Sequence, residues 1–302
     1  MNASSVSSHP RALDMRAVQR AVRRMAAAAE PPWLHAEAAR RMAERLPMIR
    51  RTPDAVLQWP GFLGASDALL REAYPKAQQL VVEPSEVLGV RAASAPAPWW
   101  SPRRWAGTAA AAPLDEEAVA AGGAQLLWSN MALHGRADPT ALFARWHRAL
   151  AVDGFLMFST LGPGTLAELR ALYRERGWGS PMADFVDMHD LGDMLVAAGF
   201  ADPVMDQEIV RLNWADAAAT LAELRGLGAN ADPRRVPGLR TPRWQRRLAE
   251  ALQALAGADG RPSLSFELVY GHAFKAAPRP RVAERTEVGL DEMRQMVRSR
   301  RT

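Results

Sequence analysis

The sequence predicts an α/β protein, a mostly parallel β-sheet with helices on both faces. Three observations carry that prediction. Short apolar runs alternate with helix-length amphipathic segments from residue 55 to residue 274. The first two runs stop where a parallel strand would turn into its helix: residues 55–58 run into a Pro/Gly turn, and residues 79–83 end on an acid. The 302 residues, 48% hydrophobic and 24% charged, have the composition of a globular chain long enough to bury a sizeable core.

The elements follow in order. Residues 1–10 are Ser-rich and lack the apolar stretch of a secretory signal. The Arg-rich, acid-poor segment out to Met25 reads as an amphipathic N-terminal helix, and residues 36–46 as the first firm helix. Strand 55–58 precedes a helix over 66–74, with Leu69, Leu70 and Tyr74 on one face, and then strand 79–83. Residues 92–113 break the rhythm with Pro96, Pro98, Trp99, Trp100, Pro102 and Trp105, an irregular loop whose tryptophans pack on the core or form a ligand platform.

Regularity returns with strand 125–129. A helix over 138–150 has Pro139 in its first turn, where the missing N–H costs nothing. Strand 154–159 and helix 165–175 follow. The helix over 190–198 has Asp190 as its cap and Gly199 as its terminator. Strand 204–212, helices 215–227 and 242–256, and a long strand 264–274 complete the domain. A Pro/Arg linker then leads to a charged helix around 290–298. This divides the chain into an N-terminal extension (1–35), the α/β domain (36–275), and a linker with a C-terminal helix (276–302).

Composition removes several chemistries. Without cysteine there is no disulfide, zinc–cysteine site, iron–sulfur cluster or thiol nucleophile. Met188-His189-Asp190 offers two metal ligands with no third, so no metal is expected. No apolar run is long enough to span a bilayer, and a cytoplasmic protein is expected. The formal net charge of +5 rests almost wholly on arginine, since Lys76 and Lys275 are the only lysines. That charge suits an acidic partner. It is spread along the chain and, apart from Trp100 to Trp105, is not interleaved with aromatics, which argues against nucleic acid.

The most informative stretch is Leu127-Trp128-Ser129-Asn130-Met131-Ala132-Leu133-His134, followed by Trp146-His147-Arg148-Ala149-Leu150 and by Asp153-Gly154-Phe155 through Gly162-Pro163-Gly164-Thr165-Leu166. With Phe185-Val186-Asp187-Met188-His189-Asp190-Leu191, Leu224-Arg225-Gly226-Leu227 and Phe266-Glu267-Leu268-Val269-Tyr270-Gly271-His272, it resembles the malonyl-acyl-carrier-protein O-methyltransferases of biotin synthesis, which are class I methyltransferases dependent on S-adenosyl-L-methionine. The resemblance runs from about residue 126 to 274. It implies a Rossmann-like seven-stranded sheet with one reversed edge strand, with the cofactor over the carboxyl ends of the first strands. The implied partner is acyl carrier protein or a coenzyme A thioester.

The first half departs from the family pattern. The acid that ends the family's first strand becomes Gln58, and the first two loop glycines become Pro60 and Phe62. Gly64 survives as the third, and Gly61 falls out of register. Glu83, nineteen residues after Gly64, matches the acid that takes the cofactor's ribose hydroxyls, although a strand-end surface acid would look the same. The resemblance places Trp128, Ser129 and Asn130 at a strand end facing cofactor and acceptor, against the alternative of packing and capping. His134 is a candidate for the acceptor channel, and Arg148, Arg170 and Arg174 for the malonyl carboxylate or simply for exposed helix surface. Two further functions stay open: a methyltransferase fold that has lost its cofactor and acts as a binding or regulatory protein, and an enzyme that modifies another acceptor such as a protein arginine.

Overall fold

The computed structural model describes residues 11–94, 113–238 and 240–277. The tryptophan cluster at residues 99–105 and the helix expected around 290–298 lie outside the described residues. Helix α1 (Met15–Ala27) starts at Asp14, whose carboxylate accepts the amides of Arg16 and Ala17. Helix α2 (Trp33–Ala43) comes next. Strand β1 (Ala55–Gln58), α3 (Asp67–Ala73), β2 (Gln78–Val81) and α4 (Glu86–Ser94) form the first half. Strand β3 (Ala124–Ser129), α5 (Pro139–Ala149), β4 (Leu150–Leu161), α6 (Ala167–Glu175), α7 (Met188–Ala197), β5 (Ala201–Asn213), α8 (Ala217–Leu227), α9 (Pro242–Gln253) and β6 (Ser263–Phe274) form the second.

The sheet order is β2-β1-β3-β4-β6-β5. Strands β1 to β4 run parallel, and β6 runs antiparallel to both its neighbours. Two expectations are corrected here. Among the described residues the sheet has six strands rather than seven: beyond β2, Leu114 continues the ladder as a single parallel bridge to Val82. Pro113, directly before it, has no N–H to extend the pairing. The reversed strand is also not the edge, since β5 lies outside β6.

Within each strand, neighbouring apolar residues serve opposite faces. Val56, Leu126, Phe155 and Leu268 pack under α2, α6 and α9, beside Leu34, Leu169 and Leu252. Leu57, Leu127, Leu156 and Val269 pack on the other side against Phe143, Trp146, Leu191 and Leu195 of α5 and α7. Two details differ from the sequence reading. Helix α4 fills a stretch to which the sequence assigned no element and runs into the first residues of the expected loop. Helix α7 begins earlier than residue 190, because Asp187 rather than Asp190 is its cap, accepting from the His189 amide at 2.8 Å.

One glycine sets the packing across three neighbouring strands of the sheet. A Cβ on Gly271 of β6 would lie 2.3 Å from the Phe158 ring and 2.9 Å from Met205 Sδ. Gly271→Ala is therefore expected to cost about 1–3 kcal/mol through overpacking, read as a lower urea midpoint with an unchanged slope.

Candidate active site

The carboxyl ends of the parallel strands open onto a cavity of about 750 Å³. Pro60 after β1, Pro84 after β2, Met131 after β3 and Leu161 at the end of β4 all line it. Open α/β sheets hold ligands at this place because the loops there diverge and strand ends stop competing for space. The far wall is apolar, with Leu169, Tyr173, Leu224, Trp244, Leu248 and Phe266. Val18, Val22 and Met25 of α1 close the cavity from the N-terminal side.

The loop after β1 is held from below. Asn130 Nδ2 donates to the carbonyls of His35 and Gly64, each at 2.8 Å, and its Oδ1 accepts the Ser159 hydroxyl. Trp128 Nε1 donates to Ser66 Oγ at 2.7 Å, and that hydroxyl donates to the Gly64 carbonyl at 2.6 Å. Trp128, Ser129 and Asn130 are fully buried and none lines the cavity. The visible work of Trp128 and Asn130 is to fix the loop that does, whereas the Ser129 hydroxyl is buried without a partner.

Gly61 and Glu83 meet across that loop. The Phe62 amide donates to Glu83 Oε1 at 2.7 Å, while Oε2 is buried without a partner. A Cβ on Gly61 would stand 2.3 Å from Val81 Cγ1 and 2.8 Å from Glu83 Oε1, so only glycine lets the loop lie this close to β2. Burial pushes the Glu83 carboxyl up, against the opposing pull of the Phe62 and Gly61 amides. Gln58 is also buried, with Nε2 reaching Asp67 at 3.3 Å and Gln79 at 3.4 Å. A Cβ on Gly64 would meet nothing within 4 Å.

His134 lines the cavity, and its neighbour there is His35, with ring centroids 6.4 Å apart. His35 Nδ1 contacts the Leu63 carbonyl at 2.8 Å, and His134 Nδ1 is buried without a partner. Burial lowers both imidazoles, His35 to about 4 and His134 to about 3, the latter helped by His35 and Arg11. Both are neutral when folded, whereas an unfolded histidine titrates near 6.5. Unfolding therefore takes up protons as the pH drops below about 6.5. Stability is full above that pH and is lost toward about 4, by at most ~1.4 kcal/mol per pH unit for each histidine. Urea melts between pH 7 and pH 5 should show this slope, and His134→Gln should reduce it, with His35, His147 and His272, all lowered by burial, carrying the rest.

The arginines sort differently from the sequence expectation. Arg148 and Arg174 are exposed and do not line the cavity. Arg170 binds Asp184 at 2.8 Å and lies 6.0 Å from the Phe185 ring, which itself lines the cavity. Arg11 was not singled out by the sequence. It stands 6.0 Å from the same ring and donates to the carbonyls of His134, at 3.0 Å, and Asp184. Behind this wall four arginines (Arg11, Arg170, Arg234, Arg235) meet three aspartates (Asp14, Asp184, Asp232), which leaves one cation in excess. Among the described residues no three His, Asp or Glu side chains gather to hold a metal ion.

No family model matches the chain. Curated relatives do. A protein of Laribacter hongkongensis named malonyl-acyl-carrier-protein O-methyltransferase is 41% identical over 255 residues, 82% of this chain and 84% of its own length. The chain belongs to the malonyl-acyl-carrier-protein O-methyltransferase family. A Nitrosospira multiformis relative of the same name is 34% identical over 95% of this chain and 98% of its own, so the family likeness reaches into the first half and the N-terminal segment. Among solved structures, YcgJ of Bacillus subtilis matches 80% of this chain and 99% of itself with a TM-score of 0.52 at 12% identity, a likeness of fold alone.

Proposed function

We propose that the protein is an S-adenosyl-L-methionine-dependent O-methyltransferase that esterifies the free carboxylate of a malonyl thioester, carried on acyl carrier protein or coenzyme A, in biotin synthesis. The observation that carries this reading is the cavity at the ends of β1 to β4 in a chain of this family. The cofactor residues fit in outline: Glu83 Oε2 is an orphaned acceptor at the end of β2, its chain neighbours Pro84 and Ser85 line the cavity, and Gly64 leaves room on the loop. Gln58 ends β1 beside Asp67 and Gln79, and Trp128 and Asn130 hold the loop in place.

When bound, the cofactor supplies an electrophilic methyl on a sulfonium, which a carboxylate oxygen takes by in-line displacement with no proton to move. The acceptor is already ionised at neutral pH. No general base is required, which agrees with two cavity histidines kept neutral and far from a working pKa near 7. What the chain supplies is position, the excess positive charge behind Phe185, and an apolar wall that keeps water out. Of the candidate arginines, Arg170 with Arg11 serves the acceptor through that field.

The second reading, a fold without cofactor, is favoured by one observation: Glu83 is capped by the Phe62 amide and does not line the cavity. Calorimetric titration with S-adenosylhomocysteine separates the two. Micromolar binding, with methyl transfer to malonyl-acyl carrier protein and rescue of a methyltransferase-deficient strain without biotin, is expected. No binding at millimolar ligand by protein with a cooperative melt would leave the second reading.

A further inference from the structure

Helix α1 carries a charge pattern that its own stability does not call for. Its sequence, MRAVQRAVRRMAA, contains four arginines and no acid. Arg16 stands in the first turn, where the helix dipole disfavours a cation. Arg16, Arg20 and Arg23 recur at i, i+4 and i+7, so three like charges share one face and repel one another. All three are exposed, and among the described residues none has a side-chain hydrogen bond or an ion pair. The adjoining face of the helix is committed inward: Ala17 and Ala21 are buried, and Val18, Val22 and Met25 line the cavity.

The stripe leads to the mouth of the site. Arg23 lines the cavity, and so does Arg225 of α8, also exposed and unpaired among the described residues. Arg24 fixes the two helices together by donating to the Gly228 carbonyl just beyond α8. Asp14, the acid at the start of α1, is spent on its cap and on Arg235. Positive charge is thus concentrated beside the opening, where Arg23 and Arg225 outnumber Glu86, the acid among the described lining residues, and none of the three is in an ion pair among the described residues.

We propose that the exposed face Arg16–Arg20–Arg23 of α1, with Arg225 across the opening, is the docking surface for an acidic acyl carrier protein whose thioester arm enters the cavity. The proposal rests on the function proposed above. The charge is complementary to such a partner, and association with it relieves the repulsion within the stripe. The helix is about 20 Å long at 1.5 Å per residue, a suitable rail for one acidic helix of a small carrier. No aromatic side chain stands on it for stacking a nucleic acid base.

The test uses the full chain and the charge-reversed variant R16E/R20E, whose two positions do not line the cavity. With malonyl-acyl carrier protein as substrate, KM is expected to rise at least about tenfold, within the range of lost electrostatic steering, while kcat at saturation holds. With malonyl-coenzyme A, KM is expected to stay the same. The wild-type KM for the carrier should rise with salt, and that of the variant should not. An unchanged carrier KM overturns the proposal. An equal loss with malonyl-coenzyme A also overturns it, assigning the stripe to the phosphates of the small substrate. If the reversed variant melts early, R16Q/R20Q replaces it. If the wild type methylates neither thioester, the proposed function fails, and docking is then judged by titration with holo-acyl carrier protein alone: equal binding by wild type and variant, or none by either, overturns it.

Discussion

Asn130→Ala is expected to destabilise the protein by roughly 2–4 kcal/mol, visible as a lower urea midpoint. The side chain makes three buried hydrogen bonds to three separate parts of the chain: the His35 carbonyl in α2, the Gly64 carbonyl in the loop after β1, and the Ser159 hydroxyl in β4. Alanine removes two donors and an acceptor at once, in a place with no exposed surface through which water could replace them. Asn130→Asp keeps the volume and separates packing from hydrogen bonding. It turns the two donors into an acceptor facing two carbonyls, so it should cost at least as much as alanine. If Asp is tolerated, the hydrogen-bond account of this residue is wrong. Both variants should also weaken S-adenosylhomocysteine binding, because the loop they release borders the cavity.

The sheet was readable because its central strands β1, β3, β4 and β6 are buried on both faces, which makes them apolar runs such as Leu126-Leu127-Trp128 between helix-length segments. Even β1 could be bounded, because its apolar side chains stop at Gln58 and the Pro/Gly turn begins directly after. Helix α4 was missed because Gly89 and the approaching proline segment mask a short helix whose packing is tertiary, through Leu88 against Leu63 and Ala26. The seventh strand came from family resemblance, and among the described residues Leu114 makes a single bridge in its place.

The site was less legible. Gly61 looked misaligned in a linear comparison, yet it is the residue that must lack a Cβ, because the loop folds back on Glu83. Arg11 and His35 give no local signal at all. Arg11 matters only because residues 134 and 184 come to it, and His35 only because its ring meets His134. Conversely, Arg148 and Arg174 lie in well-matched segments, but helical phase turns both outward.

Glu83→Gln should raise stability at pH 7 and weaken cofactor binding at least about tenfold, the worth of a hydrogen bond to a charged group. The carboxyl is pushed up by burial, so the folded protein holds its proton more tightly than the unfolded chain does. That favourable difference is present at low pH and is lost as the pH rises through the raised value, above which a buried charge remains. Gln keeps the acceptor for the Phe62 amide, since its Oε1 can occupy the same position, and removes the charge. A melting temperature that rises at pH 7 and converges with the wild type in acid would carry this signature. The same substitution takes away the carboxylate whose orphaned Oε2 would meet ribose hydroxyls. A protein that tolerates an unpaired buried carboxylate bears its cost at all times, and binding is what would repay it. Should Glu83→Gln melt higher and still bind S-adenosylhomocysteine like the wild type, Glu83 would be only a strut for the loop, and the ribose contact would have to be sought elsewhere on the cavity wall.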